Sequence, residues 1–230
     1  IAKAREDWGV PGLAVAIVKD GEVVLAGGYG DRELGAGKPV DSDTLFAIAS
    51  NSKAFTSAAI ATLVEDGKVA WNDRVKKHLP WFQLYDRYVT DELRVFELLC
   101  HRSGLGTFSG DLLWYGTHYS SEEVVRRARF LPPKGVFRSD FGYSNLMFIA
   151  AGEVLKAASG KSWAEYVEER FFTPLGMKRT RATVRGLEKI DNVATPHGEV
   201  MGRLVTFPWV SWDSMGAAGG VISSVRDMSL

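Results

Sequence analysis

The chain has 230 residues, 46% hydrophobic and 24% charged, enough for a substantial core and ordinary for a globular fold. Lys plus Arg equals Asp plus Glu at 28 each, and this zero net charge argues against nucleic acid as a partner. The single cysteine, Cys100, excludes an intrachain disulfide, and no apolar run reaches the ~18 residues of a membrane span.

The first residue is Ile1 rather than a methionine, so a segment upstream of it is expected. Ala2 to Trp8 reads as a short charged helix. Leu13 to Lys19 is apolar and β-branched, and Asp20-Gly21 then leads into Glu22 to Ala26. That is the pattern of a hairpin whose turn needs positive φ. Gly27-Gly28-Tyr29-Gly30 follows a strand without opening a helix and reads as a turn, not a phosphate loop. Leu45 to Ala49 reads as extended. A helix opens at Ser50 and runs to about Glu65, with Gly67 as its cap, and its small and apolar residues predict burial on every side.

Further helices are expected over Asp91 to Cys100, Ser121 to Arg129, Ser144 to Ala158 and Ser162 to Phe172. Pro132-Pro133 stops the second, and the last opens with Ser162 and Glu165 in capping-box spacing. Gly219 to Ile222 reads as extended, and Ser224 starts a helix with Asp227 three residues on. That helix is cut after about one turn, and so few strands leave sheet edges uncovered, so the polypeptide is expected to continue beyond Leu230.

The chemistry concentrates in Ser50-Asn51-Ser52-Lys53. Residues three apart share a helix face, so the Ser50 hydroxyl and the Lys53 amine can meet. A serine hydroxyl needs a base to become a nucleophile, and burial lowers a lysine pKa toward that role. Chance alone yields about one Ser-x-x-Lys spacing from 17 serines and 12 lysines, so its placement after a strand, at the start of an apolar helix, is what matters. The second element is Tyr143-Ser144-Asn145 at another helix start. A tyrosine hydroxyl near a lysine can relay a proton, and an asparagine amide offers a donor and an acceptor to a substrate amide. Read alone, the segment is better explained with Tyr143 as a core aromatic and Ser144 as a helix cap.

Together, in this order, S-x-x-K and Y-x-N resemble the serine β-lactamase and penicillin-binding-protein superfamily. They stand nearest its class C β-lactamases, D-Ala-D-Ala carboxypeptidases and esterase relatives. Gly9-Val-Pro-Gly12, Phe46 to Ser50, Glu97 to Leu105, Pro174 to Met177 and Gly219 to Ser224 are similar to further stretches of that family.

The resemblance implies an α+β fold, an antiparallel sheet flanked by helices beside a mostly helical subdomain, with the site between them. Residues 1–67 would open the α/β domain and carry the nucleophile helix. Residues 68–200 would form the helical subdomain, and 201–230 would return to the α/β domain, incomplete at its C-terminal end. It implies Ser50 as acylated nucleophile and its own N–H as half of an oxyanion hole. Lys53 and Tyr143 would share the proton transfers, and Asn145 would bind the substrate amide. No cofactor and no metal is implied, and the partner is a small-molecule or peptide substrate. Export to the periplasm or medium is the family's habit, while the cysteine count also fits the cytoplasm.

The family's third motif, Lys-Thr-Gly or a variant, does not occur, and His197-Gly198 reads as a loop rather than as that motif. His78, His101, His118 and His197 lack metal-ligand spacing, and no G-x-S-x-G elbow is present. Trp71, Trp81, Phe82, Tyr85 and Tyr88 are expected to pack a core or cover a subdomain rather than line a cleft. The expected function is a serine hydrolase acting on a β-lactam, a D-amino peptide or an ester. The alternative is a non-catalytic relative that binds a ligand or partner on the same scaffold.

Overall fold

A computed structural model describes residues 1–230. In chain order the elements are α1 (Ala2–Asp7), β1 (Gly12–Lys19), β2 (Glu22–Glu33), β3 (Lys38–Pro39), β4 (Phe46–Ala47), α2 (Ser52–Glu65), α3 (Val75–His78) and α4 (Arg87–Glu92). Then come α5 (Ser121–Arg127), α6 (Asn145–Ser159), α7 (Trp163–Val167), β5 (His197–Val200), β6 (Arg203–Thr206), α8 (Gly216–Gly219), β7 (Ile222–Ser223) and α9 (Val225–Met228). They fall into two compact units, each assembled from separated stretches of chain.

The first unit comprises Ile1–Ile48, Phe172–Ser211 and Val221–Leu230. Its antiparallel sheet has the order β1-β2-β3. Asp20 and Gly21 turn the β1–β2 hairpin at φ 52° and 78°, the backbone that a two-residue primed turn demands. β2 runs on through Gly27 to Gly30, which are paired strand residues rather than a turn. The reason is a close approach: a Cβ on Gly28 would sit 2.2 Å from the Val40 carbonyl oxygen, so only glycine lets that backbone pass. Two small antiparallel pairs, β4–β7 and β5–β6, complete the strands. His197 and Gly198 therefore lie in a hairpin, not a loop, and the His197 Nε2 accepts the Leu34 N–H at 3.0 Å. Leu45, Leu187 and Ile222 form an apolar cluster flanked by Val184, Ile190, Val193 and Trp209. Beside it the buried Asp227 carboxylate accepts both the Arg179 and Thr180 amides at 2.8 Å, while Ser224 caps α9 through the Asp227 N–H.

The second unit comprises Ala49–Phe171 and Trp212–Gly220. The sequence boundaries at 67/68 and 200/201 do not coincide with these units. Helix α2 groups with the helical part because it packs on α6 and α8. The helix surrounded on all sides is α6, buried continuously from Asn145 to Leu155. Helix α2 buries one face, through Ser52, Lys53, Thr56, Ala59, Ile60 and Leu63, and leaves Ala54 and Ala61 exposed. Small side chains made it look apolar all round. Gly152 on α6 faces Ala217 on α8 so closely that a Cβ would lie 2.7 Å from the alanine methyl.

The stretch expected as one helix from Asp91 to Cys100 is instead the end of α4 and a 3₁₀ turn, Val95–Leu99, broken at Leu93 and Arg94. The chain is extended there because the Leu93 carbonyl accepts the Val75 N–H and the Val95 N–H donates to the Asp73 carbonyl. Ser162 and Glu165 form the expected capping box. Pro133 to Phe141 runs through bends and a turn. Gly219 closes α8 instead of opening a strand. Of the five aromatics, Phe82 is core at 1% exposure, whereas Tyr85 and Tyr88 are exposed and line an open pocket of about 410 Å³ with Val89 and Phe137. No helix is long and apolar enough to cross a membrane.

Candidate active site

All four expected site residues lie in the second unit, within hydrogen-bond reach of one another. Ala49, at φ +47°, carries a strained left-handed backbone directly into the 3₁₀ turn Ala49–Asn51 that precedes α2. Ser50 is on this turn and is exposed. One turn on, Lys53 is only 8% exposed and reaches back so that its Nζ donates to Ser50 Oγ at 3.1 Å. The same Nζ donates to Asn145 Oδ1 at 2.8 Å and to the Ala218 carbonyl at 2.7 Å. All three ammonium protons therefore have acceptors.

Tyr143 approaches from the segment before α6, and its hydroxyl donates to Ser50 Oγ at 2.5 Å. Its ring lies over the ammonium, 4.8 Å from Nζ to centroid, with Phe148 at 5.3 Å on another side. Ser144 caps α6 by accepting the Met147 N–H, which puts Asn145 in the first turn pointing at Lys53. Ser144 is thus the helix cap that its sequence suggested, whereas Tyr143 is half-buried and aimed at Ser50 rather than simply core.

Three participants lacked any signal in spacing. The first is Asp111, whose Oδ2 accepts Asn145 Nδ2 at 3.0 Å while its Oδ1 accepts the Trp114 indole N–H at 3.2 Å. The second is a main-chain carbonyl, Ala218. The third is His101, noted only as a histidine without metal spacing and as part of the Glu97–Leu105 stretch. It stacks on Tyr143 at 4.5 Å between centroids, and its Nδ1 accepts the Ser144 N–H at 3.1 Å. The ring therefore carries its proton on Nε2.

Burial lowers the Lys53 pKa below the usual lysine range, opposed by its interactions with Tyr143 and by the negative charge of Asp111. Burial raises the Asp111 carboxyl above the usual range, opposed by the Asn145 and Trp114 hydrogen bonds and by Lys53. Burial and the nearby Lys53 charge both lower His101. The site is a desolvated cation held between a partly desolvated carboxylate and two aromatic faces, with a hydroxyl at its open end.

The chain belongs to the β-lactamase family, whose model (Beta-lactamase) matches residues 1–229. It is 30% identical to the unguisins hydrolase ungD of Aspergillus violaceofuscus over 99% of this chain and 42% of that protein. Penicillin-binding protein 4* of Bacillus subtilis is 28% identical, covering 78% of this chain and 40% of the relative. Among solved structures, the octameric penicillin-binding protein homologue of Pyrococcus abyssi superposes with a TM-score of 0.87 at 30% identity, over 99% of this chain and 52% of that one. The D-amino acid amidase of Ochrobactrum anthropi superposes at 0.81 with 26% identity, over 99% of this chain and 65% of the amidase. The fold is that of the β-lactamase and transpeptidase group, and named hydrolases are among the relatives. The chain spans about half the length, or less, of the first relatives it matches.

Proposed function

We propose that this chain carries the nucleophile half of a serine hydrolase that forms an acyl-enzyme on Ser50 and so hydrolyses a small amide or ester. The observation that carries the reading is Ser50 Oγ held by both Lys53 Nζ and Tyr143 Oη. Two of the three Lys53 partners are pure acceptors: the Ala218 carbonyl, and an Asn145 Oδ1 whose orientation is fixed by the bond from Nδ2 to Asp111. When Lys53 loses a proton its two remaining N–H groups keep those acceptors. The lone pair then faces Ser50, the one partner with a proton to give.

In that state Ser50 Oγ attacks the substrate carbonyl carbon, its proton passes to Lys53 Nζ, and the carbonyl π electrons move to oxygen. The Ser50 N–H supports the oxyanion. Collapse breaks the bond to the leaving group, which takes a proton from Tyr143 Oη, and Tyr143 is reprotonated from Lys53. Water then attacks the acyl-enzyme by the reverse relay. Such positioned proton transfer contributes about 10²–10⁴-fold to rate. The D-amino acid amidase among the similar structures supports an amide substrate, the penicillin-binding relatives support a β-lactam, and the unguisins hydrolase supports hydrolysis in general.

The test is incubation with a fluorophosphonate probe, a fluorescent penicillin and p-nitrophenyl esters, with the adduct located by peptide mass spectrometry. An adduct on Ser50 that vanishes in Ser50→Ala, with folding retained by circular dichroism, is the expected result. Labelling that survives Ser50→Ala removes Ser50 from the mechanism. A folded wild-type protein that takes up no probe favours a binding protein over an enzyme.

A further inference from the structure

Asp111 takes no part in the motifs that define the family, yet it stands one residue behind the site. Its carboxylate holds the Asn145 amide nitrogen at 3.0 Å and is itself anchored by the Trp114 indole at 3.2 Å. An asparagine amide can be turned by 180°, exchanging its oxygen and nitrogen. A carboxylate only accepts, so it forces Nδ2 toward Asp111 and Oδ1 toward Lys53. The turned amide would aim an N–H at the ammonium, an arrangement with no hydrogen bond in it.

We propose that Asp111 is a positioning residue that works through Asn145 and sets the pH at which Lys53 becomes a base. This rests on the hydrolase reading above. The chain of contacts runs from Trp114 Nε1 to Asp111, from Asn145 Nδ2 to Asp111, and from Lys53 Nζ to Asn145 Oδ1 and Ser50 Oγ. The negative charge of Asp111 favours the ammonium form of Lys53 and opposes the effect of burial. Asp111 therefore holds back deprotonation while keeping the acceptor in place.

The other groups facing Lys53 are Tyr143, whose ring and hydroxyl lie beside it, and His101, which feels its charge. Helix α8 contributes only the Ala218 carbonyl, and Asp213 lies on the turn before it. On α6, Glu153 is paired with Lys156 at 3.7 Å, and on α7, Glu165 is committed to its capping box with Ser162. Asp111 is thus the acidic group coupled to the lysine through the site's own hydrogen bonds.

The experiment measures the rate of fluorophosphonate acylation against pH for the wild type, Asp111→Asn and Asp111→Ser. Asp111→Asn keeps an oxygen at the reach of Asn145 Nδ2, both replacements remove the charge, and they differ in size should one fail to fold. The expected result is that the limb reporting deprotonation of Lys53 moves to lower pH by about half to one unit in both. Asp111→Ala, which also removes the acceptor, is expected to lower the plateau rate at least about tenfold as Asn145 is released. A merely structural role would lower the rate without moving the limb. A limb that coincides with wild type in a folded neutral variant overturns the role of Asp111 and leaves the hydrolase reading standing. A folded wild type that is not acylated overturns both.

Discussion

His101 supports the site through its ring face and its nitrogen at once. The face stacks on Tyr143, and Nδ1 takes the Ser144 N–H at the mouth of α6. Its main-chain carbonyl also accepts the Gly142 N–H at 2.8 Å, so three successive residues around Tyr143 lean on it. His101→Ala is expected to cost about 1–3 kcal/mol, since it leaves a partly buried N–H without its acceptor and removes an aromatic contact. It should also slow probe acylation while Ser50 remains the labelled residue. Urea unfolding checks the first effect and labelling kinetics the second; a variant matching wild type in both shows the stacking to be incidental. At this scale the sequence singled out Ser50, Lys53, Tyr143 and Asn145, which the structure brings together, because their spacings are short and tied to helix starts. Asp111 and His101 were not legible as partners. Their contacts span 34 and 43 residues, and no period or cap marks either.

Among the elements, α3 depends on a carboxylate just outside it. Asp73 accepts the Lys77 ammonium at 2.7 Å and both the Ala70 N–H and the His78 ring at 2.9 Å. Burial alone would raise its pKa, but the Lys77, Ala70 and His78 hydrogen bonds outweigh that and bring it down to about 2. Because the folded value lies below the unfolded one, the unfolded chain takes up the proton first. The stabilisation is therefore complete above about pH 4, is lost as pH falls toward about 2, and amounts to about 2 kcal/mol at neutrality. Asp73→Asn is expected to be less stable by about that amount at pH 7 and no less stable than wild type at pH 2; equal urea midpoints at pH 7 would refute it. Legibility differed by element for a physical reason. The β1–β2 hairpin, α5, α6 and the α7 capping box carry turn or cap residues that declare themselves locally. The β5–β6 hairpin and the broken segment around Leu93 are held by partners elsewhere in the chain, so their own residues gave no matching pattern.

In the whole molecule, neither unit is a continuous stretch of chain. The second unit needs Trp212–Gly220 to supply α8, and α8 supplies the Ala218 carbonyl to Lys53 and the Ala217 carbonyl to Thr56 at 2.6 Å. A fragment of residues 49–171 holds Ser50, Lys53, Tyr143 and Asn145 but lacks both carbonyls. It is expected to bind no fluorophosphonate and to lose helical signal by circular dichroism relative to the same residues in the full chain. Efficient labelling of that fragment at Ser50 would show α8 to be dispensable. The α+β character followed from the resemblance of the motifs to the family, with the hairpin and helical patterns consistent with it. The division of the chain was not legible, because a contiguous reading cannot foresee that a nine-residue return, Trp212–Gly220, belongs with the helices.

The small pair where α6 meets α8 acts as a gauge on the reacting atoms. Gly152 costs its helix about 1 kcal/mol relative to alanine, and what it gives is proximity, with Ala217 seated where a methyl would otherwise be. The two pure acceptors that hold Lys53 sit on either side of this contact, Asn145 at the start of α6 and Ala218 beside Ala217. The lysine nitrogen is thus held by a span whose width is calibrated by the absence of one carbon atom, two helical turns from the chemistry.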